Sequence, residues 1–144
     1  MLVRLVYASQ ATTPIDGAVI DTILKQANAN NLDYGITGAL CAYKGDDRFF
    51  QVLEGARAEV NQLYGNILRD PRHTNVMLLD YSEISIRQFA SWRMGSVDLS
   101  KVNLSTMLRY SEKPKLDPLL LSSASALALL NDLVGNAAIN TPSS

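Results

Sequence analysis

Apolar and polar positions follow a changing rhythm along the chain, and that rhythm predicts the order of elements. Residues 2–8 are rich in β-branched and large apolar side chains and run into a turn-like Ser9-Gln10, so a first strand is expected there. Thr13-Pro14-Ile15-Asp16 then offers an N-cap hydroxyl, a proline for the first helical position and a carboxylate for the first turn. Ile15, Val19, Ile23 and Ala27 recur every four residues with Ile20 and Leu24 beside them, which predicts an amphipathic helix ending at Asn30-Asn31. Two strands follow, over 36–43 and 49–53, joined by the polar loop Lys44-Gly45-Asp46-Asp47-Arg48 and therefore antiparallel. Val60, Leu63, Tyr64, Ile67 and Leu68 predict a second helix over 59–69, stopped by Asp70-Pro71. A fourth strand over 75–81 and a fifth over 89–97 come next, then a short helix over 103–111 and a leucine-rich helix over 123–134. Pro114 and Pro118 break the chain between these helices, and residues 140–144 read as a frayed tail.

The order βαββαββ is that of a ferredoxin-like α+β fold with one added strand. Both long helices then cover one face of the sheet, and the apolar C-terminal segment is the natural cover for the other. In such a sheet the first and third strands are neighbours.

Composition narrows the possibilities. A chain of 144 residues with 47% hydrophobic and 19% charged side chains is an ordinary single globular domain, neither disordered nor fibrous. Thirteen basic against fourteen acidic residues, a formal charge of -1, argue against nucleic acid or an anionic membrane surface as partner. A single cysteine, Cys41, excludes an internal disulfide and a cysteine-cluster metal site, and reads as a small inert hydrophobe. His73 has no cysteine or second histidine near it, so a turn role is expected and no metal. No apolar run has signal-peptide or membrane-spanning form, and a cytoplasmic address is the expectation.

Candidate chemistry comes from polar residues set inside core-like segments. Gln51 interrupts Phe49-Phe50-Gln51-Val52-Leu53, and a primary amide buried there needs partners for one carbonyl and two N–H groups or costs about 1–3 kcal/mol. Tyr7 on the first strand would meet Gln51 on the helix-covered face, with Asn30 and Asn31 hanging over the same region. A phenol and amides beneath a slot between two helices form either a structural polar network or a site that grips a flat heterocycle by its edge. Trp92 and Met94 share one face of the fifth strand, because side-chain direction repeats every two residues.

These residues carry a resemblance. Leu5-Val6-Tyr7-Ala8-Ser9, Asn30-Asn31 with Gly35-Ile36-Thr37-Gly38-Ala39-Leu40, Phe49-Phe50-Gln51-Val52-Leu53-Glu54-Gly55, Arg69-Asp70-Pro71-Arg72-His73 and Phe89-Ala90-Ser91-Trp92-Arg93-Met94 resemble, in order and spacing, the BLUF domain family of flavin-using blue-light sensors. The resemblance spans residues 1–97, and residues 98–144 are similar to the helical tail of short, single-domain members, a cap or signalling segment. It implies a non-covalent flavin between the two helices, FAD or else FMN. Tyr7 is then the photochemical electron donor, Gln51 the amide linking it to the flavin, and Asn31 a holder of the ring edge. Ile36 and Ile67 pack on the ring, Asn30 and Asp70 complete the polar surround, and Phe50 and Asn66 join the cofactor-binding set. Trp92 and Met94 become signalling elements.

Two departures stand out: Asn66 occupies a position where several relatives carry arginine, and the loop 44–48 is about two residues longer than is common. Lys25, Arg69 and Arg72 are candidates for a flavin phosphate. The implied partners are flavin and a light-dependent protein partner or second copy, with no enzymatic turnover. The rivals are an acylphosphatase-like hydrolase on the same fold, although the first turn Ser9-Gln10-Ala11-Thr12-Thr13 lacks the arginine that chemistry needs, and a flavin-free interaction domain.

Overall fold

The computed structural model describes residues 1–90, 95–99, 102–113 and 117–135, with the side chains of residues 28–32, 95–98, 134 and 135 left outside the description. Strands β1 (Leu2–Ala11), β2 (Thr37–Tyr43), β3 (Arg48–Ala56), β4 (His73–Ile84) and β5 (Gly95–Asp98) form one sheet in the order β4-β1-β3-β2-β5. The first four are antiparallel neighbours, and β5 joins β2 in parallel. This is the ferredoxin-like arrangement with an added strand. No helix among the described residues is long and apolar enough to cross a membrane.

Helix α1 (Gly17–Tyr34) starts later than the proline suggests, because Asp16 and not Thr13 caps it: the Asp16 carboxylate accepts from the Val19 N–H at 2.9 Å. It also runs past Asn30-Asn31 to Tyr34, where Gly35 at φ +67° supplies the left-handed residue that ends a helix. Asn30 and Asn31 thus lie on the helix and do not close it. Helix α2 (Arg57–Arg69) stops as expected, its Asp70 N–H bonding back to the Ile67 carbonyl at 3.1 Å.

Both long helices lie on one face. Val19, Ile20, Ile23, Leu24 and Ala27 of α1, with Val60, Leu63, Tyr64 and Ile67 of α2, pack on Val3, Leu5, Tyr7, Leu40, Phe49 and Leu53 of the strands. On the other face, Val6, Ala39, Cys41, Phe50 and Val52 meet Leu121, Ala126, Leu129, Leu130 and Leu133. These last residues come from the end of a short 3-10 turn (Pro118–Leu120) and from α4 (Ser123–Gly135), with Met107 and Tyr110 of α3 (Leu104–Tyr110) packed beside them. Each leucine so buried contributes about 1.5–3 kcal/mol.

The β2 and β3 backbones approach so closely that a Cβ on Gly38 would sit 1.9 Å from the Val52 carbonyl oxygen, so only glycine fits. The longer loop 44–48 does more than turn the chain. Asp47, at φ +53°, accepts from the Ile15 N–H through its carboxylate at 2.9 Å and from the Ala11 N–H through its carbonyl at 2.7 Å, anchoring the link between β1 and α1.

The expected start of the fifth strand at Phe89 and Ala90 is not strand, and β5 is described over Gly95–Asp98. Phe89 and Ala90 lie in a turn, because the Phe89 N–H is taken by the Glu54 carboxylate at 2.7 Å and is not offered to a strand ladder. Trp92 and Met94, like Pro114 and residues 140–144, lie outside the described residues.

Candidate functional site

The site grows from the register of two central strands. Tyr7 and Gln51 are direct cross-strand partners on β1 and β3, and both point to the helix-covered face. Tyr7 is 1% and Gln51 5% exposed, and the phenol O–H donates to Gln51 Oε1. Above them a cleft of about 190 Å³ opens between α1 and α2. Ile23 and Ala27 line it from α1 and Leu63 and Ile67 from α2, while Tyr7, Gln51, Asn66, Asp70 and Arg72 supply its polar surface.

Two ring contacts and one charge pair set the electrostatics. The Tyr7 ring lies 5.7 Å from Tyr64 and 6.1 Å, edge-on, from His73. Burial, reinforced by Tyr64 and Asp70 and opposed by Arg72, drives the Tyr7 phenol well above the ordinary tyrosine range. The buried site thus strongly favours the neutral phenol over the phenolate.

His73 is held by Ser9, whose hydroxyl lies 2.8 Å from Nδ1, and burial pushes its pKa below the usual histidine value, with Asp70 opposing and Arg72 adding. The Asp70 carboxylate takes three contacts from the Arg72 side chain at 2.6–3.1 Å and one from the Arg72 N–H at 2.9 Å, which holds its pKa below the ordinary aspartate range. Arg72 also donates to Gln26 Oε1 at 3.0 Å, tying α1 to the turn after α2. Asn66 accepts from Arg69 at 2.7 Å.

The sequence-derived set divides accordingly. Tyr7, Gln51, Asn66, Ile67 and Asp70 line the cleft together. Ile36 is buried in the same helix-face cluster but does not line the cleft. Phe50 is a correction: side chains alternate along β3, so Phe50 points to the opposite face and packs with Leu129 and its neighbours. The side chains of Asn30 and Asn31, and all of Trp92 and Met94, lie outside the described residues.

Gln26 lines the cleft without standing out in the sequence, and His73, expected in a turn, begins β4 and lines the cleft as well. The signal for Gln26 was present: Ile23, Gln26 and Ala27 fall on one helical face at spacings of three and four.

Comparison with known proteins decides the family. The model described as "BLUF: Sensors of blue-light using FAD" matches residues 2–95. The chain belongs to the BLUF family. It is 36% identical over 96 residues to the photoactivated adenylate cyclase subunit beta of Euglena longa, covering 66% of this chain but 11% of that protein. It is 35% identical over 101 residues to the blue light- and temperature-regulated antirepressor BluF of Escherichia coli (strain K12), covering 69% of this chain and 24% of that one. The BLUF chain thus spans only a minor part of these curated relatives.

Among solved structures, BlsA in its photo-activated state superposes with a TM-score of 0.80 at 34% identity, covering 93% of this chain and 95% of that one. The dark state of BlrB, a BLUF protein, gives 0.75 at 29%, covering 94% and 96%. The flavin-using family implies a cofactor, and the donor set fits one. Apolar walls from two helices enclose a floor where the Tyr7 hydroxyl orients a buried primary amide, a surround suited to a flat ring with polar edges. The hydrolase alternative finds no support in these comparisons.

Proposed function

We propose that this BLUF chain is a blue-light photoreceptor in which Tyr7 and Gln51 are the photoactive pair, acting without enzymatic turnover through light-dependent contacts with a protein partner or a second copy, in the cytoplasm. The observation that carries the reading is the hydrogen bond from the buried Tyr7 phenol to Gln51 Oε1 at the floor of the cleft. When bound, flavin supplies an absorber of blue light whose excited state is a strong oxidant. Tyr7 would give its electron to the bound flavin while its proton moves along the hydrogen bond toward Gln51 Oε1, and both would return to Tyr7 with no lasting change of redox state; burial disfavours a phenolate on the way. A change in the Tyr7–Gln51 bond would let the amide rotate or tautomerise, and a different pattern of donors and acceptors would then face the cleft.

Ile67 with Ile23 and Leu63 would flank the ring, and Asn66 and Asp70 would face its polar margin, with Asn30 and Asn31 contributing from α1 and Ile36 packing behind. Asp70 is held in place by Arg72. FAD is the preferred cofactor over FMN. Residues 1–97 serve as the sensor, residues 98–144 as the cap and signalling segment, and Trp92 and Met94 as elements between them.

The test is direct. The purified protein is expected to be yellow, to shift its flavin absorption slightly to the red under blue light, and to recover in the dark; chromatography of released cofactor distinguishes FAD from FMN. A colourless protein that takes up neither flavin would leave the interaction-domain reading standing.

A further inference from the structure

Glu54 is a buried acid that the photochemistry does not use. It follows Gln51 by three residues on β3, so the pleat turns it to the opposite face, away from the cleft. Its residue is 0% exposed. Arg4, directly opposite on β1, donates through Nε at 2.8 Å and pairs through Nη2 at 2.8 Å.

The other donors are main-chain groups of the segment that leaves β4. The Phe89 N–H donates to Oε1 at 2.7 Å and the Gln88 N–H to Oε2 at 3.2 Å. Arg87 reinforces the grip, donating to the Thr37 hydroxyl at 3.1 Å and to the Glu54 carbonyl at 3.4 Å. The far side of the same segment is tied to the C-terminal helix, because the exposed Gln88 side-chain amide donates to Asn131 Oδ1 on α4. Residues 87–89 therefore form a link with one end locked to the strand that carries Gln51 and the other clasped to α4.

We propose that Glu54 is a positioning residue for signal output, and that the Glu54–Gln88–Asn131 link transmits the change at Gln51 to α4. The proposal rests on the reading of Tyr7 and Gln51 as the photoactive pair. A strand bonded on both sides moves as a unit, so a displacement of β3 that accompanies the new Gln51 bonding carries the carboxylate and the two N–H groups fixed to it. The Gln88–Asn131 bond is either made or broken, which gives the link two discrete arrangements for light to bias.

The experiment uses the full chain with its flavin and measures hydrogen exchange in darkness and under blue light, alongside the absorption spectrum. Gln88→Ala and Asn131→Ala alter exposed side chains and are expected to keep the red shift while reducing the light-minus-dark exchange difference of α4 about fivefold or more. The exchanged pair Gln88→Asn with Asn131→Gln retains both amides and should restore it. Glu54→Gln should keep the red shift and lose the α4 response; if that variant does not fold, the surface variants decide. A role in stability alone would change dark and lit exchange alike and leave their difference intact. An α4 response in Gln88→Ala equal to the parent's overturns the proposal, as does a parent that shifts its spectrum with no change in α4. A parent with no red shift overturns the photochemical reading, and this proposal with it.

Discussion

The two faces of the sheet are built from the same strands and solve opposite problems. On the helix-covered face, Tyr7 and Gln51 put a phenol and an amide beneath a cleft of about 190 Å³. On the other, Phe50, Val52, Leu129, Leu130 and Leu133 close into an apolar core. Strand β3 contributes one buried polar residue to each face, Gln51 to the first and Glu54 to the second. The amide is neutral and can exchange donor for acceptor, whereas the acid is ion-paired and also bound to backbone N–H groups. One face thus holds a neutral pair whose bonds can be exchanged at modest cost, and the other an ion pair that ties β3 firmly to its neighbours.

Removing the anchor of the rigid face should have the largest effect. Glu54→Ala leaves Arg4, the buried Phe89 N–H and the part-buried Gln88 N–H without their acceptor, and is expected to cost about 3–5 kcal/mol in urea unfolding. A loss below about 1 kcal/mol would show that the pair is not the anchor described. Leu129→Ala, in the same core, should cost about 2–5 kcal/mol through lost burial and a residual cavity, while leaving flavin binding intact. If this variant lost its flavin at temperatures where it remains folded, the two faces would not be separable.

On the cleft side, Gln51→Leu leaves the Tyr7 hydroxyl without its acceptor and should cost about 1–3 kcal/mol. It should still bind flavin yet show no red shift; a parent-like light response would make Gln51 a packing residue. The smallest effect concerns acid. Burial lowers the folded-state pKa of His73 below its ordinary 6.5, so the stability linked to its neutral form is complete above that value and is lost as pH falls through the folded pKa. Urea midpoints of the parent should therefore fall faster below pH 6.5 than those of His73→Gln, and parallel curves would contradict the assignment. Asp70, also held low by Arg72, adds a loss in the same direction only below its ordinary 3.8.

Much of this contrast was legible in the chain. The strand and helix order, the pairing of Tyr7 with Gln51 and the cover provided by the C-terminal leucines all follow from periodicity together with the ferredoxin-like order. What failed were choices between near-equivalent local signals. Thr13-Pro14 and Asp16 both offer a helix start, and only the bond from the Val19 N–H selects Asp16. Asn30-Asn31 looks like a helix end, yet Gly35 farther along has the backbone freedom to make one. Phe50 and Gln51 share one motif, but the pleat sends them to different faces.

Glu54 gave no warning as a buried acid. Its partners sit at Arg4 and at residues 88–89, and only the register of β1 on β3 and the turn after β4 bring them together.

If the Tyr7–Gln51 pair is the light-driven element, a light-minus-dark difference spectrum of Tyr7→Phe beside the parent must show it. Phenylalanine keeps the ring and removes only the hydroxyl that donates to Gln51. Both proteins are expected to bind flavin, the parent to give a reversible red shift, and Tyr7→Phe to give none. A red shift in Tyr7→Phe equal to the parent's in size and recovery would contradict it.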